Sequence, residues 1–210
     1  YLNGQLLKYV FMVVFTTALS FGLTYMFGYE DEASSVPAED EEAGAIIEEE
    51  TTGTVPASLQ DETIISPIVG QAVALENVND PVFSSGAMGQ GIAIKPTEGV
   101  VYAPADAEVT IAFATGHAFG LKTANGAEVL IHVGIDTVSM NGEGFDQKVA
   151  QGDKVKAGDV LGTFDSAKIV AAGLDDTTMV IVTNTADYAS VTPVATGAVA
   201  KGDAIIEVKA

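Results

Sequence analysis

Hydrophobic and polar positions divide the chain into three stretches of different texture. From Leu6 to Phe27 the side chains are apolar all round, broken only by Lys8 at one edge and by Thr16, Thr17, Ser20 and Thr24. A run of about 20 such residues has the length of a bilayer-spanning helix, and the lack of a polar stripe speaks against a buried helix of a soluble domain. Tyr9 and Tyr25 stand near its ends, where interface anchors sit. From Glu30 to Glu62 the pattern inverts: acids dominate, no cation appears, and apolar residues are sparse apart from Ile46-Ile47. Such a segment repels itself and buries too little to order, which makes it a tether. From Ile64 onward, short apolar runs alternate with Gly, Pro, Asn and Asp every eight to twelve residues or so, the texture of an all-β sandwich or barrel. The expected division is 1–29 transmembrane helix, 30–63 acidic linker, 64–210 antiparallel β-domain.

Within the third stretch the pattern predicts strands at Gln71–Leu75, Gly91–Lys95, Gly99–Tyr102, Glu108–Ala112, Phe119–Lys122, Glu128–Val133, Val160–Asp165, Met179–Val182 and Ile205–Val208. A short helix over Ser166–Ala172 is expected, with Ser166 as cap and Gly173 as stop. Val155-Lys-Ala-Gly158-Asp159-Val-Leu161 repeats as Val199-Ala-Lys-Gly202-Asp203-Ala-Ile205. Each Gly-Asp predicts a tight turn into a strand, and the echo points to an internal duplication.

The only two histidines, His117 and His132, flank Asn125-Gly126. Asn-Gly is the strongest short hairpin signal, since a type I′ turn needs positive φ at both central residues. A two-residue loop would pair Ala124 with Ala127, Phe119 with His132 and His117 with Gly134. On that register His117, Phe119 and His132 share one face, with the histidines as diagonal neighbours about 7–8 Å apart; a one-residue slip would send one of them to the other side. Two neutral imidazoles on one face suit phosphoryl transfer, which is mostly positioning and charge stabilisation. One ring acts as nucleophile and the other as hydrogen-bond donor. Thr115 adds a hydroxyl from the same strand, and Asp136 stands four residues after His132.

Composition narrows the classes. There is no cysteine, hence no disulfide framework and no thiolate metal site. The formal charge of −20 opposes binding to a nucleic-acid backbone and favours a basic protein partner. The chain begins at Tyr1 rather than Met, which suggests a piece of a longer protein. Lys8, before the apolar run, places the N-side in the cytoplasm by the positive-inside rule, a single-residue vote.

At these residues the chain resembles the glucose-type enzyme IIA of the bacterial sugar phosphotransferase system. The matching strings are Asp80-Pro-Val-Phe-Ser-Ser-Gly86, Gly91-Ile-Ala-Ile-Lys-Pro-Thr-Glu-Gly99, Ala103-Pro, Thr115-Gly-His-Ala-Phe-Gly120, Val129-Leu-Ile-His-Val-Gly-Ile-Asp-Thr-Val138, Asn141-Gly-Glu-Gly-Phe145 and Val182-Thr-Asn-Thr185. The apolar N-terminal segment resembles, over a much shorter stretch, the last helix of a fused enzyme IIC permease of the β-glucoside or sucrose type. The resemblance implies a glucose-permease-IIA-like sandwich and a phosphohistidine at His132, with His117 as partner and Thr115 as the hydrogen-bonding threonine. It implies an apolar ring of Val82, Phe83, Met88, Phe113, Phe119 and Val138, beside Asp136, on which the carrier HPr and then enzyme IIB dock. It implies no cofactor and no metal, and it puts this domain on the cytoplasmic side of the bacterial membrane, overriding the Lys8 vote.

Two other classes compete. A zinc hydrolase of the peptidoglycan-peptidase kind would use His132 and Asp136 as a His-x-x-x-Asp ligand pair, but the later His-x-His is missing, and catalytic zinc usually takes three protein ligands. A biotinyl or lipoyl carrier is suggested by Gly152–Asp159 but lacks the hairpin lysine.

Overall fold

The computed structural model describes residues 59–210. The expected membrane helix and nearly all of the expected linker lie outside them. Among the described residues no helix is long and apolar enough to cross a membrane.

The fold grows from a strand–turn–strand unit used twice. The first half runs β1 (Glu62–Ile65), β2 (Gly70–Ala74), helix α1 (Pro81–Ser84) and β3 (Gln90–Pro96). The second starts with β4 (Val100–Tyr102), β5 (Ala107–Ala112), β6 (Ala118–Thr123) and β7 (Glu128–His132). Then follow β8 (Phe145–Gln147), β9 (Lys154–Val155), β10 (Val160–Phe164), α2 (Ser166–Ala171), β11 (Thr178–Val182), β12 (Ser190–Pro193), β13 (Gly197–Val199) and β14 (Ala204–Lys209). Eight strands form one sheet in the order β13-β2-β3-β11-β7-β6-β5-β9; two three-stranded sheets, β1-β14-β12 and β4-β10-β8, complete the structure. The large sheet is a palindrome about its central β11–β7 pair: each half ends in the strand that leads into a Gly-Asp turn.

The predicted echo is therefore structural. Asp159 and Asp203 each turn their carboxylate back onto a backbone N–H three residues earlier, Lys156 and Ala200, both at 2.8 Å. Each turn then bonds the same way to the other part of its half: Asp159 O accepts from Ala103 N and Asp203 O from Ser66 N, at 2.8 and 2.7 Å. The halves also cross-link reciprocally, Ile65 N to Pro104 O and Tyr102 N to Pro67 O, at 3.0 and 2.8 Å. Each of these bonds satisfies a backbone group that the sheet ladders leave over. A third turn of this kind, not anticipated, sits at Gly152-Asp153, where Asp153 accepts from Ala150 N.

One face of the large sheet forms the sandwich core. Ile92, Ile94, Phe119, Leu121, Val129, Ile131, Val133, Val180 and Val182 pack in one cluster with Ile64, Val101, Leu161, Ile205, Ile206 and Val208 from the smaller sheets. Alternation along each strand then assigns the opposite face to Ala93, Ala118, Leu130, His132, Met179 and Ile181.

Four expectations change here. The hairpin loop after β6 has three residues, not two: Thr123 N bonds Ala127 O at 2.8 Å and Gly126 N bonds Thr123 O at 3.1 Å. Asn125 keeps negative φ, and only Gly126 takes the left-handed conformation, at φ +100°. That combination is a turn followed by a glycine bulge, the usual three-residue hairpin. The loop is braced from outside by Glu62, whose carboxylate accepts from Thr123 Oγ1 at 2.7 Å and Ala127 N at 3.2 Å. The register consequently slips by one: Ala118 opposes His132 and Phe119 opposes Ile131. Glu62 and Thr63 belong to β1, so the first strand starts inside the stretch expected to be linker. The cap of α2 is Asp165, whose side chain accepts from Lys168 N, rather than Ser166.

Phe119 is the consequential correction. The slip moves it from the histidine face into the core, where it is 0% exposed. Its ring reaches across the sandwich so closely that a Cβ on Gly162 would lie 3.0 Å from Phe119 Cζ. It is no part of a docking ring. Phe119→Ala should cost about 3–5 kcal/mol in denaturant-unfolding stability, as for other buried aromatics. Val82→Ser, at a position 50% exposed, should stay within about 0.5 kcal/mol. Equal effects would contradict this packing.

Candidate functional site

His132 is the last residue of β7, in a row that crosses four strands: Ala118 opposes His132, His132 opposes Met179, and Met179 opposes Ala93. Two alanine methyls and a flexible thioether thus form a low floor around one imidazole. Helix α1 supplies a wall. Pro81 starts it, and the Asp80 carboxylate caps it by accepting from Val82 N at 2.7 Å. The ring of Phe83 comes to rest 5.2 Å from that of His132.

His117 arrives by a different route from the one its spacing suggested. A regular continuation of β6 would place it against Val133 and hence on the core face; Val133 N does donate to His117 O, at 2.8 Å. But β6 begins only at Ala118. Before it, a turn closes from Gly116 N to Phe113 O at 2.7 Å, with Gly116 at φ +68°. The His117 ring lies 5.1 Å from the His132 ring at 81°, edge to face, and Phe113 packs on its other side at 5.3 Å. The expected meeting of the histidines holds, although the register invoked for it does not.

The hydrogen bonds settle the protons of His132. Its Nδ1 lies 2.8 Å from Gly134 O. A carbonyl only accepts, so Nδ1 carries the hydrogen and Nε2 keeps the lone pair. Nε2 has no hydrogen-bond partner among the described residues and is not cut off from solvent, whereas His117 Nε2 is both buried and unpartnered. His117 Nδ1 is 2.5 Å from Thr115 Oγ1. If the hydroxyl donates, His117 holds its hydrogen on Nε2, aimed away from Thr115.

Both rings are neutral. Burial pushes the His132 pKa down, with Gly134 O, Asp80 and Asp136 pulling back against it. Burial, and then the proximity of His132, push His117 down to about 3. As residues, His132 and His117 are 6% and 1% exposed. Of the other residues expected at a docking rim, Met88, Phe113 and Val138 are partly exposed and Asp136 is exposed. Phe83 is buried and forms the wall of the site rather than its rim. Among the described residues no group of three or more His, Cys, Asp or Glu could hold a metal ion. A concavity of about 600 Å³ lined by Met140, Lys168 and Leu174 among others contains neither histidine.

The Gly134 carbonyl, Ala93, Ala118 and Met179 were not singled out from the sequence. The only local signal was a glycine two residues after a histidine at a strand end.

An all-β sandwich with two neutral imidazoles edge to face on one sheet surface defines a phosphoryl-carrier class of domain. Residues 62–188 match the family model for the phosphoenolpyruvate-dependent sugar phosphotransferase system, EIIA 1, and the chain belongs to that family. It is 45% identical over 196 residues to a PTS system beta-glucoside-specific EIIBCA component of Dickeya chrysanthemi, covering 93% of this chain and 29% of that one. It is 49% identical over 125 residues to a PTS system glucose-specific EIIA component of Bacillus cereus, covering 60% and 76%. The solved glucose permease IIA of Mycoplasma capricolum superposes with a TM-score of 0.66 at 36% identity, over 70% of this chain and 96% of that one. The chain thus spans under a third of the first of these relatives. The EIIA domain is a phosphotransferase that carries phosphoryl groups in sugar uptake. Nothing in these comparisons supports the zinc-peptidase reading.

The buried neutral rings have a pH signature. An unfolded chain protonates both imidazoles below about pH 6.5, and the folded chain resists. The stability that the neutral His117 ring confers is therefore complete above that pH and is lost as pH falls toward about 3, and His132 shifts in the same direction. Relative to wild type, His117→Gln should gain about 1–2 kcal/mol between pH 7 and pH 5 in urea-unfolding titrations. A difference that stays flat with pH would contradict the buried neutral state.

Proposed function

We propose that His132 Nε2 is the atom that accepts the phosphoryl group, from phospho-HPr, and hands it to an enzyme IIB domain. The observation that carries this reading is the bond from His132 Nδ1 to Gly134 O, which leaves Nε2 as the free nucleophile. As the new N–P bond forms and the bond to the donor breaks, negative charge spreads over the three oxygens of a loose transition state. His117 Nε2, with its hydrogen held there by Thr115, donates to one of those oxygens. No proton need leave either ring. Phosphorylated His132 becomes cationic, its Nδ1–H bond to Gly134 strengthens by charge assistance, and Asp80 and Asp136 offset the new positive charge.

Val82, Met88, Phe113 and Val138, with Asp136, surround this point and form the docking rim; Phe83 supports it from beneath. The acid excess steers a basic carrier toward it. The segment before residue 30 is the end of a IIC permease and the acidic stretch from residue 30 up to β1 its tether, which fixes the domain to the cytoplasmic face of the bacterial membrane. In support, the beta-glucoside relative aligns across 93% of this chain, well beyond the domain, and its name places C before A. Sugar choice belongs to the permease.

The test is phosphate transfer from phosphoenolpyruvate through enzyme I and HPr. His132→Gln should take up no label. His117→Gln should still accept from HPr but pass phosphate to IIB at least tenfold more slowly. Labelling of His132→Gln at the wild-type level would overturn the assignment.

A further inference from the structure

We propose that Thr137 is a positioning residue for phosphoryl acceptance: its hydroxyl pins the turn that aims the Gly134 carbonyl at His132 Nδ1, and so decides which ring nitrogen is free. The inference rests on the reading of His132 as the acceptor.

β7 ends at His132, and the next residues leave the ladder. Gly134 takes φ +75° and Asp136 φ +58°, two left-handed residues within three. A turn of that shape needs ties from outside the sheet, and three are present. Val133 N donates to His117 O, and Ile135 N donates to Asp175 O, each at 2.8 Å. The third is the Thr137 hydroxyl, which donates to Val133 O at 2.5 Å. Thr137 is 0% exposed, so this hydroxyl has no water to exchange for.

The ties act on the two imidazoles together. Val133 is held on both sides, its N–H by the His117 carbonyl and its own carbonyl by the Thr137 hydroxyl. The next carbonyl in the chain, that of Gly134, receives the His132 Nδ1 hydrogen. The Thr137 methyl also fills the space beside Gly134: a Cβ there would collide with Thr137 Cγ2 and lie 2.8 Å from Asp175 O. Thr137 thus offers two separable functions, a methyl that packs and a hydroxyl that orients. The tautomer of an imidazole follows the bond made by its other nitrogen. Loosening the Gly134 carbonyl therefore lets the hydrogen move to Nε2 and blocks the nucleophile.

Two substitutions separate these functions in the full chain. Thr137→Val keeps the shape and removes the hydroxyl; Thr137→Ser does the reverse. Ring ¹⁵N shifts of selectively labelled His132 report the protonated nitrogen without any phosphate present, and uptake from phospho-HPr reports the rate. In Thr137→Val the Nδ1–H form should give way to a mixture with Nε2–H, and uptake should fall at least tenfold. Thr137→Ser should keep both within about twofold. If Thr137→Val does not fold, Thr137→Cys, of similar volume and a weaker donor, takes its place. Wild-type shifts and rate in the hydroxyl-free variant would overturn the proposal, as would equal slowing of both variants with unchanged shifts, which marks packing alone. A wild-type chain that takes no phosphate on His132 would instead overturn the acceptor assignment, and the shifts would still decide what Thr137 does.

Discussion

A single hydrogen bond, from His132 Nδ1 to the Gly134 carbonyl, decides which nitrogen of that ring is free. An imidazole in water exchanges its hydrogen between two nitrogens and takes up a second near neutral pH. Here burial removes the second proton and the carbonyl fixes the first. What remains is one lone pair at one place, beside a second neutral ring whose Nε2 has no hydrogen-bond partner among the described residues. An unpaired buried polar atom costs free energy. On the proposed reading, that cost is recovered when an oxygen of the transferred group accepts a hydrogen bond from His117 Nε2.

The rest of the sandwich holds that bond in register. The histidine strand β7 sits at the centre of the large sheet, next to the β11 strand across which the halves are duplicated. A central strand is pinned on both sides, so His132 cannot slide. Its counterpart, His117, is held through its own carbonyl by Val133. The duplication builds the core on one face; the opposite face, floored by buried alanine and methionine, carries the two imidazoles.

Much of this architecture was legible in the chain. The long apolar strands stood out through period and turn residues, and the Val-x-x-Gly-Asp echo disclosed the duplication. The short strands β1, β8, β9, β12 and β13 did not, because two to four residues of mixed polarity carry no period. Asn125-Gly126 correctly announced a hairpin but not its length. The loop length is set with Glu62, more than sixty residues upstream, which reaches in to bond Thr123 and Ala127. That one extra residue moved Phe119 from the surface to the core. It would have separated the histidines too, had the Phe113–Gly116 turn not released His117 from the strand. Composition pointed to the two histidines; only the backbone bonds explain why they meet.

The most direct test is a ³¹P–¹⁵N measurement on the phosphorylated domain with its two histidines ¹⁵N-labelled. A one-bond coupling from phosphorus to His132 Nε2, with the Nδ1 hydrogen still present and His117 uncoupled, is the result this account predicts. Phosphorus coupled to His132 Nδ1, or to either nitrogen of His117, would contradict it.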